Sequence, residues 1–534
     1  MFESCIAIIG GSIIDGTGKP PIKNGVIVTT GSKIFAVGPR KEISIPEGAD
    51  VIDAKGRTVM PGFIDCHTHF ILMGVRTLTT LDLSKTKSLS EVLALMKERI
   101  PELPEGTWLE GHGWDESNWP ERRYPSKWDL DSVSDEVPIV LTPYYGHLIV
   151  VNSAALEVAN ISKDTESPEG GEVVKDPETG DPTGVLRDEA MGIVFDVRPP
   201  TTMEVSLQGL REACSIALRW GCTSIHELSA DAAEYSTYDR ARKDGSLKVR
   251  AYVMPNARHN EEILDALGTL GLSTGFGDEY LRIGAAKIFI DGSMGARTAV
   301  LTEPYNDDQS TCGLFTISPE TLKSRVSKAH NYGMQIAIHA IGDGGIQASL
   351  DAYEAILKKN YREDHRHRIE HCEILTEEQI QRIKRLGVIP SMQPNFVGEW
   401  GWPGGMYDQR LGSERIKMNN PYRRLLDQEV RIAFGSDCGF CPPWPMNPIF
   451  GLWAAIRHPI KGSGITLEEA VRAYTLDAAY SSFEENIKGS LEPGKLADLI
   501  ILSRDISTID TDEIKDVTVD LTMVGGKIEY QASD

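Results

Sequence analysis

Six residues able to bind a metal or move a proton stand at or near the carboxyl ends of short apolar runs. They are His67 and His69 in D-C-H-T-H, Lys287 in A-A-K-I-F-I-D-G, His339 in Q-I-A-I-H-A, His371 after R-H-R-I-E, and Asp437 in A-F-G-S-D. Strand side chains alternate, so H-x-H turns two imidazoles to one side, where they can share a metal without bending the backbone. His339 and His371 follow two further apolar runs, and imidazole nitrogen suits zinc. Asp437 could bind the metal, take a proton from water, or cap the next segment, although Cys438 to Pro443 makes a poor helix start. Lys287 lies among apolar and small neighbours, where an unpaired ammonium is costly. It could pair with Asp291 or Glu227, or lose its proton through burial and add CO2 to become a carbamate. Composition leaves both readings open.

Placing these groups together requires a scaffold that gathers strand ends. Eight apolar runs are candidate barrel strands: 63–64, 139–141, 223–225, 282–288, 335–338, 368–369, 388–392 and 431–434. Helical patterns lie between them. Ser88 with Glu91, Thr376 with Gln379 and Thr466 with Glu469 read as capping boxes, Ser318-Pro319 as a helix start, and Gly333 and Gly387 as helix stops. This alternation predicts an α/β fold, a TIM-type (β/α)8 barrel over 61–484 with active groups at one mouth. Two irregular tracts, about 101–138 and 162–184, read as insertions over that mouth. Residues 1–60 and 485–534 share another texture, short β-branched runs cut by Gly-Gly, Asn-Gly and Gly-Ser turns. They predict one composite β-sandwich domain built from both chain ends.

The chain has 534 residues, 41% of them hydrophobic, and a formal net charge of -23. Such length and apolarity fill a large core, and the acidity disfavours nucleic acid as a partner. No run reaches the ~20 apolar residues of a membrane span, so no membrane partner is expected. The opening M-F-E-S-C-I-A-I-I has no basic n-region and reads as a first strand. Eight scattered cysteines predict free thiols and a cytoplasmic location. A homodimer is the expectation from the prevalence of that state among soluble proteins.

Longer motifs then become recognisable: V-M-P-G-F-I-D-C-H-T-H-F, G-H-x-x-x-V-N-S-A-A-L at 146–156, D-P-T-G-V-L-R-D-E-A at 181–190, A-K-I-F-I-D-G-S-M-G-A-R-T-A at 286–299, R-H-R-I-E-H at 366–371, F-G-S-D at 434–437 and L-E-P-G-K-L-A-D-L at 491–499. With these the chain resembles the amidohydrolase superfamily, and within it the YtcJ-like metal-dependent hydrolases of amidohydrolase family 3, a branch that includes N-substituted formamide deformylases. The resemblance implies a distorted barrel with an attached composite β-sandwich. It implies one or two Zn²⁺ ions on His67, His69, His339 and His371, with Asp437 as acid/base and possible ligand. Lys287 matches a lysine that is carboxylated in many members. After Asp437 the chain departs from the branch, with Cys438-Gly439-Phe440-Cys441 where many relatives carry a small residue, Pro and Val.

The expected reaction is hydrolysis of a non-peptide C–N bond in a small amide-like substrate by metal-activated water, with Asp437 moving the proton. His147 is the candidate donor to the oxyanion, or else a loop anchor. Trp114, Tyr144, Tyr145, Trp400, Trp402 and Phe440 are expected around the substrate. Arg297 is expected either to orient a polar group or to tie its loop to acids such as Asp291. Ester or carbamate hydrolysis and deamination use the same kind of site. A non-catalytic regulatory protein is the alternative outside enzymes, and it would be marked by lost ligands.

Overall fold

Parallel strands close into a barrel, and two further sheets are attached to it. The computed structural model describes residues 5–104, 106–257, 261–439 and 446–533. The barrel strands are β1 (Phe63–Thr68), β2 (Cys222–Ala230), β3 (Arg250–Pro255), β4 (Ala286–Phe289), β5 (Ile336–Ala340), β6 (Arg368–His371), β7 (Ile389–Met392) and β8 (Ala433–Phe434). β1 to β3 pair in parallel within one sheet and β4 to β8 within another. Two parallel bridges, Asn256 with Lys287 and Thr68 with Cys438, join the two sheets. The circle closes at two of the chemically interesting segments.

Two strand expectations change. Ile139–Pro143 is as apolar as a barrel strand, but it pairs in parallel with Leu109–Trp114 and antiparallel with Leu148–Val151. It belongs to a separate six-stranded sheet whose other members are Leu81–Asp82, Gly171–Lys175 and Pro182–Asp188. The two irregular tracts thus each contribute strands to one platform. The missing barrel strand is β3, which opens on a charge: Arg250 is buried and bonds Asp498 through Nε and a terminal nitrogen at 2.7 and 2.9 Å. Its partner lies far along the chain, so the run did not read as a core strand. The predicted strand 282–288 divides into Leu281–Ile283, which pairs with β3, and β4. Gly284 sits at the break, with its N–H 2.6 Å from the Val253 carbonyl.

Helix starts follow the predicted signals. Thr376 with Gln379 and Thr466 with Glu469 form reciprocal capping boxes, Ser318 caps Pro319–Asn331, and Gly387 ends Glu377–Leu386 at φ 68°. Ser88 caps Leu89–Arg99 by accepting the Glu91 amide, while the Glu91 carboxylate accepts the Lys87 amide. Both chain ends build one eight-stranded sheet. In it Thr58–Pro61 lies between Cys5–Ile13 and Leu499–Leu502. Among the described residues no helix is long and apolar enough to cross a membrane, and the seven described cysteines are free thiols.

Candidate metal centre

β1 delivers His67 from its buried end, and His69 follows as the N-cap of helix Phe70–Thr79. His69 makes no capping bond. Glu227 of β2 serves instead: its carboxylate accepts the Phe70 and Ile71 amides at 3.0 to 3.2 Å and the Tyr238 hydroxyl at 2.5 Å. A carboxylate at a helix N-terminus suits the helix dipole, and His69 lines the cavity. Asp291, the other partner considered for Lys287, accepts the amides of Val300, Ile341 and Gly342.

Asp437 reaches the same point from β8. Gly435 permits this, since a side chain there would come within 2.5 Å of the His67 nitrogen. The Asp437 amide bonds the His67 carbonyl at 2.7 Å, and its backbone has φ 56°. Asp437 Oδ1 then lies 3.4 Å from Nε2 of both His67 and His69. One donor atom from each of the three residues falls within 4.8 Å of the others. Oδ1 is buried and accepts no hydrogen bond from a described residue. Three converging donors with an unsatisfied anionic oxygen fit a divalent cation.

His339 of β5 and His371 of β6 stand beside this triad. The His371 ring centroid is 4.5 Å from that of His67 and 4.5 Å from that of His339. His371 also adopts a left-handed backbone, φ 68°. Neighbours set the tautomers. His67 Nδ1 donates to Glu370 at 2.7 Å and His371 Nδ1 to Gln393 Oε1 at 2.8 Å, leaving each Nε2 with a lone pair. His339 donates from Nε2 to the Gly292 carbonyl at 3.0 Å, which leaves Nδ1 as its lone-pair nitrogen. Burial holds all four imidazoles well below the usual histidine range, and the Lys287 ammonium adds to the effect in each. Burial likewise drives the Asp437 carboxyl well above its ordinary value, with Lys287 opposing. Neutral imidazoles are the form that binds metal. Lys287 itself is buried on β4, its Nζ 4.5 Å from the Phe289 ring centre.

A cavity of about 320 Å³ opens on these groups, lined by His67, His69, His147, His339, His371 and Asp437 among others. His147 donates from Nδ1 to Asp188 Oδ1 at 2.6 Å, and its ring centre lies 5.0 Å from that of His339. Tyr144, Tyr145 and Trp400 line a smaller adjoining chamber of about 30 Å³, with Tyr144 and Trp400 stacked at 4.3 Å. Three expected pocket residues lie elsewhere. Trp114 is fully buried and stacks on Trp119 inside the platform core. Trp402 is 40% exposed and bonds the Gly398 carbonyl. Arg297 is tied to Asp307 by two bonds, so it anchors its loop, though not to Asp291. Phe440 lies outside the described residues. Glu370, Gln393 and Asp188 were not singled out from the sequence. Asp188 sits inside the quoted motif at 181–190, and Glu370 two places after Arg368 shares its side of β6, which was an available signal.

A family model described as the amidohydrolase family matches residues 50–530. The chain belongs to that family. YtcJ of Bacillus subtilis is 33% identical to it, the match covering 97% of each chain. N-substituted formamide deformylase of Arthrobacter pascens is 28% identical over 95% of this chain and 94% of its own. Solved metal-dependent hydrolases, described as uncharacterized, from Pyrococcus horikoshii and Pyrococcus furiosus superpose with TM-scores of 0.74 and 0.72. They are 27% and 28% identical, over 95% and 94% of this chain and 99% of theirs. With the family and the His67–His69–Asp437 triad together, the protein is a metal-dependent hydrolase.

Proposed function

We propose that the protein hydrolyses a non-peptide C–N bond, in an amide, formamide or related group, at a zinc site formed by His67, His69 and Asp437 with His339 and His371. The observation that carries this reading is Asp437 Oδ1, buried, without a hydrogen-bond donor among the described residues, and 3.4 Å from two imidazole nitrogens. Zinc bound there would supply an acidified water and a polarised carbonyl oxygen. Asp437 accepts the proton of the attacking water and returns it to the departing nitrogen. Bonded to Asp188 through Nδ1, His147 lines the same cavity as the triad and is the side chain we assign to the developing oxyanion. The match to a formamide deformylase along 95% of this chain supports a C–N substrate.

Lys287 belongs to the same proposal as the position of a CO2-derived carbamate able to bridge a second ion. Lys287→Ala should then lower metal content from two ions to one, read by elemental analysis. Equal loss of every ion would reject the bridge.

The decisive experiment is a panel of amides, esters and phosphoesters on zinc-loaded protein beside Asp437→Asn. We expect amide turnover to fall at least ~100-fold in kcat while fold and at least one metal persist. Amides should lose more than activated esters, because a poor leaving group needs the returned proton. Parent-level amide turnover in the variant would move the proton to another residue. Exclusive ester or phosphoester turnover by the parent would overturn the C–N assignment.

A further inference from the structure

Three more imidazoles pack together at the amino ends of β5 and β6, away from the ends that carry His339 and His371. His330 lies in the last turn of helix Pro319–Asn331, and His365 and His367 lie on the chain entering β6. All three are buried, with the His367 ring centre 5.2 Å from that of His330 and 4.5 Å from that of His365. They line neither the metal cavity nor the chamber beside it.

Their hydrogen bonds fix every proton. A carbonyl can only accept, so His330 carries its proton on Nε2, 2.9 Å from the Asn360 oxygen. His365 likewise donates from Nε2 to the Leu386 carbonyl at 2.8 Å. His330 Nδ1 is then bare and accepts from His367 Nε2 at 2.9 Å. His367 Nδ1 accepts the Ile336 amide at 3.1 Å, and His365 Nδ1 accepts the His367 amide at 2.9 Å. Each ring nitrogen is used once, three as donors and three as acceptors. A further proton on any ring sets N–H against N–H.

The surroundings also oppose that proton. Burial first, then the Arg362 charge among other neighbours, lowers His330, His365 and His367 from the usual histidine range. Asp364 favours a charge on His365, but Arg366 engages both of its oxygens. Tyr353 of helix Asp343–Lys359 stacks on His367 and donates its hydroxyl to the Ile336 and Arg368 carbonyls. Cations of the flanking helices pair with acids: Lys328 with Glu261 and Asp265, Lys358 and Arg385 with Glu354, and Lys384 with Glu429.

We infer that His330, His365 and His367 form an acid-sensitive latch, which secures the starts of β5 and β6 only while all three rings are neutral. His367 is its centre: the ring holds the Ile336 amide of β5, and its carbonyl accepts the Ile389 amide of β7. Groups kept neutral in the fold but free to charge in the unfolded chain stabilise fully above about pH 6.5. That stabilisation is lost as pH falls below this value, because the unfolded chain then binds more protons. β5 and β6 also carry His339 and His371, so opening the latch slackens the metal site without touching a ligand.

The test uses metal-loaded full-length protein, as the parent and as His330→Gln and His365→Gln. Glutamine offers a donor and an acceptor but does not titrate, and both variants keep every proposed metal ligand. Urea unfolding from pH 7.5 to 5.5 gives the protons taken up on unfolding. An unfolded imidazole is about nine-tenths protonated at pH 5.5, so each variant should take up about 0.9 proton fewer than the parent there. Unchanged uptake in a folded variant overturns the inference. A second measurement needs no variant: hydrogen exchange in the parent, read by mass spectrometry on peptides holding Ile336 and His367. After correction for the intrinsic rate, their protection should fall at least about fivefold from pH 7 to 5.5, while helix Leu89–Arg99 of the platform keeps its own. Full protection of both amides at pH 5.5, or an equal loss in the platform helix, overturns the latch.

Discussion

Gln393 lies behind His371, and its amide oxygen decides which nitrogen of that ring carries the proton. Removing such a support costs metal affinity without removing a ligand. Gln393→Leu is therefore expected to weaken metal binding by about 10–100-fold, with little loss of stability, because the replacement has similar volume and no charge. Competition against a chelator of known affinity reads this directly. Parent-like affinity would argue that His371 is not a ligand. Glu370 does the same for His67, but it also pairs with buried Arg368 at 2.8 Å, so its removal would confound metal affinity with unfolding.

Helix Phe70–Thr79 carries the metal site at its N-terminus and packs on helix Met203–Arg219 through two glycines. A Cβ on Gly74 would stand 1.8 Å from the Gly209 oxygen, and one on Gly209 would stand 2.8 Å from the Val75 nitrogen. The backbones touch, so any side chain forces the helices apart. Gly74→Val should destabilise the protein by about 1–3 kcal/mol, the range for overpacking. Because His69 is the N-cap of the displaced helix, metal affinity should fall as well. Unfolding in denaturant and a metal titration on the same preparation check the pair of effects. A drop in stability with unchanged metal affinity would show that the helix adjusts away from its N-terminus.

The Arg250–Asp498 ion pair ties the barrel to the terminal sheet across the length of the chain. Asp498 leads into Leu499–Leu502, and Arg250 begins β3. Burial alone would raise the Asp498 carboxyl, but the Arg250 charge and its two bonds hold it below the usual carboxylate range. A depressed folded value means stabilisation that is fully present above the unfolded pKa, about 3.9, and lost as pH falls through the folded value. Arg250→Met leaves the Asp498 charge buried and should cost about 3–5 kcal/mol near neutral pH. It should also flatten the acid limb of the stability profile, because the depressed carboxyl is gone. Urea unfolding from pH 7 down to pH 3 measures both, and an acid limb unchanged by the substitution would remove the pair from the account.

Local chemistry made much of this molecule legible in the sequence. Capping boxes at Thr376 and Thr466 depend on residues three apart, and H-x-H alternation depends on neighbours two apart, so both survive without tertiary information. The shared texture of the two chain ends likewise announced a sheet that spans them. Partner choice was not legible. Ile139–Pro143 and β3 are both buried strands, and only the strands that flank them decide that one builds the platform and the other the barrel. Arg250 looks misplaced in a core strand until Asp498 lies against it. Trp114 and Arg297 fell in stretches that suited a pocket, yet Trp119 and Asp307 engage them elsewhere. Residue types and short spacings fix which groups can bind a metal. The closing of β8 onto β1, with Gly435 against His67, decides that Asp437 meets the two histidines, because that contact joins positions hundreds of residues apart.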